Sequence, residues 1–92
     1  MWEVLWCGSE GVMFADEEVL DLVCDEQSGI VAFHTSSHLP GQLVLVDDGA
    51  GMYKGDADGF HYELSKVSDL LWMGSFNGGA RGVGTFSLKR VL

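Results

Sequence analysis

The chain has 92 residues, 47% of them hydrophobic, a mean hydropathy of +0.15 and a formal net charge of −9. That length makes one domain, 1–92, able to bury roughly 60–70% of its unfolded surface, and the hydrophobic content excludes a disordered chain. The charge disfavours nucleic acid and anionic membrane as partners and favours basic proteins or cationic ligands.

The acidity is one-sided. Residues 1–50 hold ten Asp and Glu and no Lys or Arg, whereas 51–92 hold four acids and all five basic residues. The negative field therefore comes from the N-terminal half, and its simplest role is solubility.

Residues 1–7 alternate as a strand, with Trp2, Val4 and Trp6 on one face and Leu5 and Cys7 on the other. This apolar run carries Glu3, lacks a basic flank and is short for a secretory signal. No run approaches the length of a membrane helix. The sequence Gly8-Ser-Glu-Gly11 is a turn, and 12–14 returns as a short strand.

Residues 16–27 read two ways. As a helix, Asp16 is the N-cap, Glu17 and Glu18 suit the positive end of the dipole, and Val19, Leu20, Val23 and Cys24 form a stripe. As a strand, Leu20, Leu22 and Cys24 point inward and Asp21 outward. Asp25 and Glu26 oppose the helix dipole, but the capping signals tip the reading to the helix.

The stretches 30–35 and 43–46 are apolar on both faces, separated by a loop that Pro40 breaks. Strands of that kind need cover on both sides. The cover comes from the 16–27 helix or from a second subunit, so a homo-oligomer is expected. Asp-rich turns at 47–51 and 56–59 flank a short strand at 52–55. Residues 60–67 alternate cleanly, Phe60, Tyr62 and Leu64 against His61, Glu63 and Ser65. The strongest signal is 70–92. Leu70, Trp72, Gly74 and Phe76 share one parity, and Gly84, Phe86 and Leu88 share one beyond a Gly-rich reversal at 77–82. Turn signals recur through the C-terminal two-thirds of the chain. The expected fold is mainly β, or α+β. It is an antiparallel meander of about seven short strands forming a small barrel or sandwich, with one short helix at 16–27.

Three segments share the pattern apolar, aromatic, any, Gly: Leu5-Trp-Cys-Gly8, Met52-Tyr-Lys-Gly55 and Leu71-Trp-Met-Gly74. A glycine two residues from an aromatic leaves room for a ring over bare backbone and permits strong bending. The last copy, Trp72-Met-Gly-Ser-Phe76 running on to Gly82-Val-Gly84, resembles a MORN hairpin. Its final glycine pair comes one position early. MORN proteins use tandem copies and this chain has one, so the resemblance implies hairpin geometry and no binding role.

Motifs for chemistry are sparse. His34 and His38 are four apart, but on a strand end and loop rather than a helix, and with His61 they find no third ligand at a telling spacing. The Asp-rich turns do not follow the EF-hand pattern. There is no nucleophile elbow, phosphate-binding loop or dinucleotide fingerprint. Cys7 and Cys24, without metal spacing, read as buried thiols of a cytoplasmic protein, with a disulfide between them the alternative.

These readings expect no catalytic residues, metal or cofactor, and a non-enzymatic binding protein. The ligand is a small cationic, partly apolar molecule held in an aromatic-lined site by Trp6, Tyr53, Tyr62 and Trp72. The alternative is an acidic interaction or inhibitor module that imitates nucleic acid towards a basic protein, its surface formed by exposed Glu17, Glu18, Asp21, Asp25 and Glu26. A small enzyme is the third reading.

Overall fold

Alternating apolar residues and glycine-rich reversals produce eight antiparallel strands in a computed structural model, which describes residues 1–35, 39 and 41–91, with the backbone alone for Asp16. The strands are β1 (Trp2–Gly8), β2 (Gly11–Asp25), β3 (Ile30–Thr35), β4 (Leu43–Asp47), β5 (Tyr53–Ala57), β6 (Phe60–Ser68), β7 (Leu71–Asn77) and β8 (Val83–Arg90). Each pairs with the next, and β8 returns to pair antiparallel with β1. The meander is thus a closed barrel with no free sheet edge. Among the described residues there is no α-helix, only a 3₁₀ turn at Gly79–Arg81. No helix among them is long and apolar enough to cross a membrane.

The C-terminal hairpin forms as expected, with Trp72 opposite Leu88 and Gly74 opposite Phe86. Trp72, Phe76, Phe86 and Leu88 are all buried. The core continues through Val4, Val31, Phe33, Leu43, Leu45 and Leu64, each no more than 1% exposed. The middle of the barrel is therefore filled by side chains, as in small eight-stranded barrels.

The expected helix at 16–27 is instead the second half of β2, through Asp25, and the start of the turn after it. Its helix-like spacing has a specific cause. The β1–β2 register shifts between Val4 and Trp6 and again between Trp6 and Cys7, and the β2–β3 register shifts between Leu20 and Val23. At each shift β2 carries one more residue than its partner, and each extra residue flips the inward parity. Asp21, at φ 51°, sits in the last of these bulges. Val19 and Leu22 face the core while Leu20 and Val23 do not, so apolar residues on two faces imitate one helical stripe.

Strands β3 and β4 are neighbours, with Ala32 opposite Val44 and Ile30 opposite Val46. The segment expected to cover them lies beside them in the sheet. The outward Val44 and Val46 stay about half exposed, at 45% and 52%. The cysteines are free: Cys24 is exposed and Cys7 half-buried, against the expectation of buried thiols.

Inward glycines let rings approach the wall. A Cβ on Gly74 would overlap the Glu63 carbonyl oxygen and lie 2.8 Å from the Phe86 ring. The ring over this glycine comes from the neighbouring strand, not from Trp72. Gly74→Ala is expected to destabilise the barrel by about 1–3 kcal/mol through overpacking. Gly41→Ala, where a Cβ meets nothing within 4 Å, should stay within about 0.5 kcal/mol of the parent. Urea unfolding of the two variants checks this, and equal midpoints would contradict the packing described.

Candidate functional site: the aromatic mouth of the barrel

In an up-and-down meander the connections alternate between two ends. The β1–β2, β5–β6 and β7–β8 connections therefore share one end, called upper here, and the chain termini lie at the other. Aromatic residues next to those connections gather at that end. Trp6 stacks on Phe86 at a centroid distance of 5.1 Å and meets Phe76 edge-on at 5.8 Å and Tyr62 at 6.5 Å. Phe60 joins the cluster through Tyr62 at 6.3 Å and Phe76 at 6.1 Å.

The cluster does not fill the mouth. A hollow of about 160 Å³ is lined by Trp6, Met13, Phe14, Phe60, Tyr62 and Phe76. A second, of about 450 Å³, is bordered by Leu39, Gly41, Gln42, Ala57 and Asp58 and shares Phe60 and Tyr62 with the first. Leu39 belongs to the core and is held there by its backbone N–H, which donates to Thr35 Oγ1 at 3.0 Å. Met13 and Phe14 form an exposed lip, 50% and 40% accessible.

Three polar features surround this apolar floor. The Arg81 guanidinium lies 4.8 Å from the centre of the Phe60 ring and donates to the Asp58 carbonyl, tying the β7–β8 connection to the β5–β6 turn. The Tyr62 hydroxyl is pushed above its ordinary pKa by burial, then by the nearby Asp58 charge, so it is a neutral phenol at neutral pH. The indole Nε1 of Trp6 is buried and has no hydrogen-bond partner among the described residues.

The four residues expected to line one site divide between two places. Trp6 and Tyr62 belong to the mouth. Tyr53 and Trp72 meet each other edge-on at 5.4 Å, apart from it, and neither borders either hollow. Burial, then Asp47, raises the Tyr53 pKa as well. Met13, Phe14, Phe60 and Phe76 were missed as site residues. The signal for them is their place beside connections of the same end.

The five acidic residues do not form one exposed surface. Glu17 is buried, 8% exposed, on the inward face opposite Val4, which overturns the expectation that it is a surface residue. Glu18 is outside, opposite Glu3. Asp21 sits 2.8 Å from His34 Nε2. Asp25 accepts the Ser28 hydroxyl and the backbone N–H groups of Ser28 and Gln27, which holds its carboxyl below the usual range. Glu26 pairs with Lys66 at 3.0 Å. These groups are strung along a 15-residue strand and the turn after it.

His34 and His61 are engaged with carboxylates, His61 with Asp56 at 3.0 Å and Glu63 at 3.2 Å, and His38 lies outside the described residues. No group of three or more His, Cys, Asp or Glu among the described residues is arranged to hold a metal ion. No family model matches the chain, and neither does any curated protein or solved structure.

Proposed function

We propose that the chain is a small-molecule binder that takes a ring-sized, partly apolar cation at the aromatic mouth of the barrel. The observation that carries this reading is the hollow of about 160 Å³ lined by Trp6, Met13, Phe14, Phe60, Tyr62 and Phe76. An apolar cavity of ~150 Å³ is enough to hold benzene. Aromatic faces attract cations, and Arg81 over Phe60 is an internal instance at this mouth. Asp58, which borders the second hollow and lies 3.9 Å from the Arg81 guanidinium, adds a carboxylate at the rim.

The acidic-module reading has less support. It needs one continuous acidic face, whereas Glu17 turns inward and Glu26 is held by Lys66.

Thermal unfolding with benzylammonium, benzyl alcohol and benzoate tests the proposal. A ligand that binds only the folded state stabilises it by about 2.7 kcal/mol at one hundred times its Kd. Benzylammonium should raise the melting temperature most and benzoate least. Three equal shifts, or none, would sink the reading.

A further inference from the structure

We infer that the mouth takes a quaternary ammonium of choline size, a cation that carries no N–H. The inference rests on the reading of the mouth as a cation site and names the class of cation.

The chemistry of the smaller hollow carries it. Trp6, Met13, Phe14, Phe60, Tyr62 and Phe76 include no carboxylate, amide or imidazole. Their side chains offer two acceptors, the Tyr62 hydroxyl and the weak Met13 thioether. A primary ammonium has three N–H donors and must shed water from them as it enters. Each donor left without an acceptor costs the desolvation of that group, and more so for a charged one. A quaternary ammonium has no donor to satisfy. Its methyl groups pack against rings as hydrocarbon does, and the negative ring faces attract its charge. A trimethylammonium group is close to benzene in bulk, and the hollow of about 160 Å³ matches the ~150 Å³ that holds benzene. In benzylammonium the ring enters and the N–H groups stay in water; in choline the cationic centre itself enters.

The rim agrees with this reading. The Arg81 guanidinium lies 4.8 Å from the centre of the Phe60 ring. Guanidinium is more weakly hydrated than an ammonium, so the mouth already receives a cation of this kind on an aromatic ring. The Asp58 side chain, 94% exposed and 3.9 Å from that guanidinium, balances its charge. At longer range the net charge of −9 favours a cation over an anion.

Titration calorimetry with three matched probes tests the inference. Choline is compared with ethanolammonium, which keeps the charge and restores the N–H groups. It is also compared with neohexyl alcohol, which keeps the shape and puts carbon in place of nitrogen. Choline should bind about tenfold more tightly than ethanolammonium, the cost of an unmet charged donor. It should bind about fivefold more tightly than neohexyl alcohol, the worth of a cation over aromatic faces. On the unaltered chain, choline's methyl protons should shift upfield and show NOEs to the rings of Trp6, Phe60, Tyr62 and Phe76. They should show none to Tyr53 or Trp72, which border neither hollow. Phosphatidylcholine vesicles separate two sources of such a group. They bind where a lipid head group reaches the hollow and do not where only the free ion fits, and choline itself binds in both cases.

Equal affinity for choline and ethanolammonium overturns the inference while the mouth stands as a cation site. Benzylammonium binding without choline binding does the same. Equal affinity for choline and neohexyl alcohol means that charge is not read, and failure of every probe means that there is no site; either result removes the reading of the mouth together with the inference. NOEs to Tyr53 or Trp72 place choline elsewhere and also count against it.

Discussion

Phe86→Ala is expected to lower unfolding stability by about 3–5 kcal/mol, a large share of the ~5–15 kcal/mol a domain commands. The ring is 2% exposed. It stacks on Trp6 across the β8–β1 pair, meets Tyr62 edge-on at 6.1 Å, and lies over the backbone at Gly74 on β7. Its loss opens a cavity bounded by strands that close the barrel, and glycine at position 74 offers no side chain to collapse into the gap. Met73→Ala is the control, because that side chain is half exposed on the same hairpin. It should change stability by no more than about 0.5 kcal/mol. Urea unfolding gives both numbers. A Phe86→Ala cost below about 1 kcal/mol would contradict the packing described. Because Phe86 backs Trp6, the variant should also weaken benzylammonium binding at a temperature where it is still folded.

This hairpin was legible because nothing disturbs its alternation. Leu71 to Asn77 and Val83 to Lys89 pair residue for residue without a shift, so period-two spacing passes directly from sequence to wall and interior. Strand β2 was not legible for the opposite reason. Three one-residue insertions break its alternation into short frames, and the capping-like Asp16-Glu-Glu cluster then argues for a helix. Local signals were outweighed by pairing on both sides, with β1 and β3, which a helix at this place would leave unmade.

The mouth was half legible. The excess of aromatic side chains is plain in the composition, and of the four named from it Trp6 and Tyr62 lie side by side, their rings 6.5 Å apart. What separates them from Tyr53 and Trp72 is the end of the barrel: Trp6 and Tyr62 stand near the β1–β2 and β5–β6 connections, Tyr53 and Trp72 next to the β4–β5 and β6–β7 connections. The inward turn of Glu17, by contrast, depends on the bulges of β2, which the sequence hides.

That inward turn yields the other large expected effect. Glu17→Lys should cost about 3–5 kcal/mol, the range seen when a partnered buried charge is broken, while Glu18→Lys should stay within about 0.5 kcal/mol. The residues are adjacent and chemically identical, so only the face each occupies distinguishes them. Glu17 is buried, partnered and opposite Val4 on the interior wall. Reversal there strands whatever stabilised the carboxylate and places an ammonium in the core. Glu18 is exposed and directly opposite Glu3, a like-charge pairing that a lysine relieves. A one-residue slip of β2 would exchange the two faces and invert the result. Urea midpoints of the pair therefore report the register of β2 at its bulges: a stable Glu17→Lys beside a crippled Glu18→Lys means the strand is set one residue off. Two equally mild losses mean that position 17 faces solvent, and the acidic surface expected from composition alone would regain its central member.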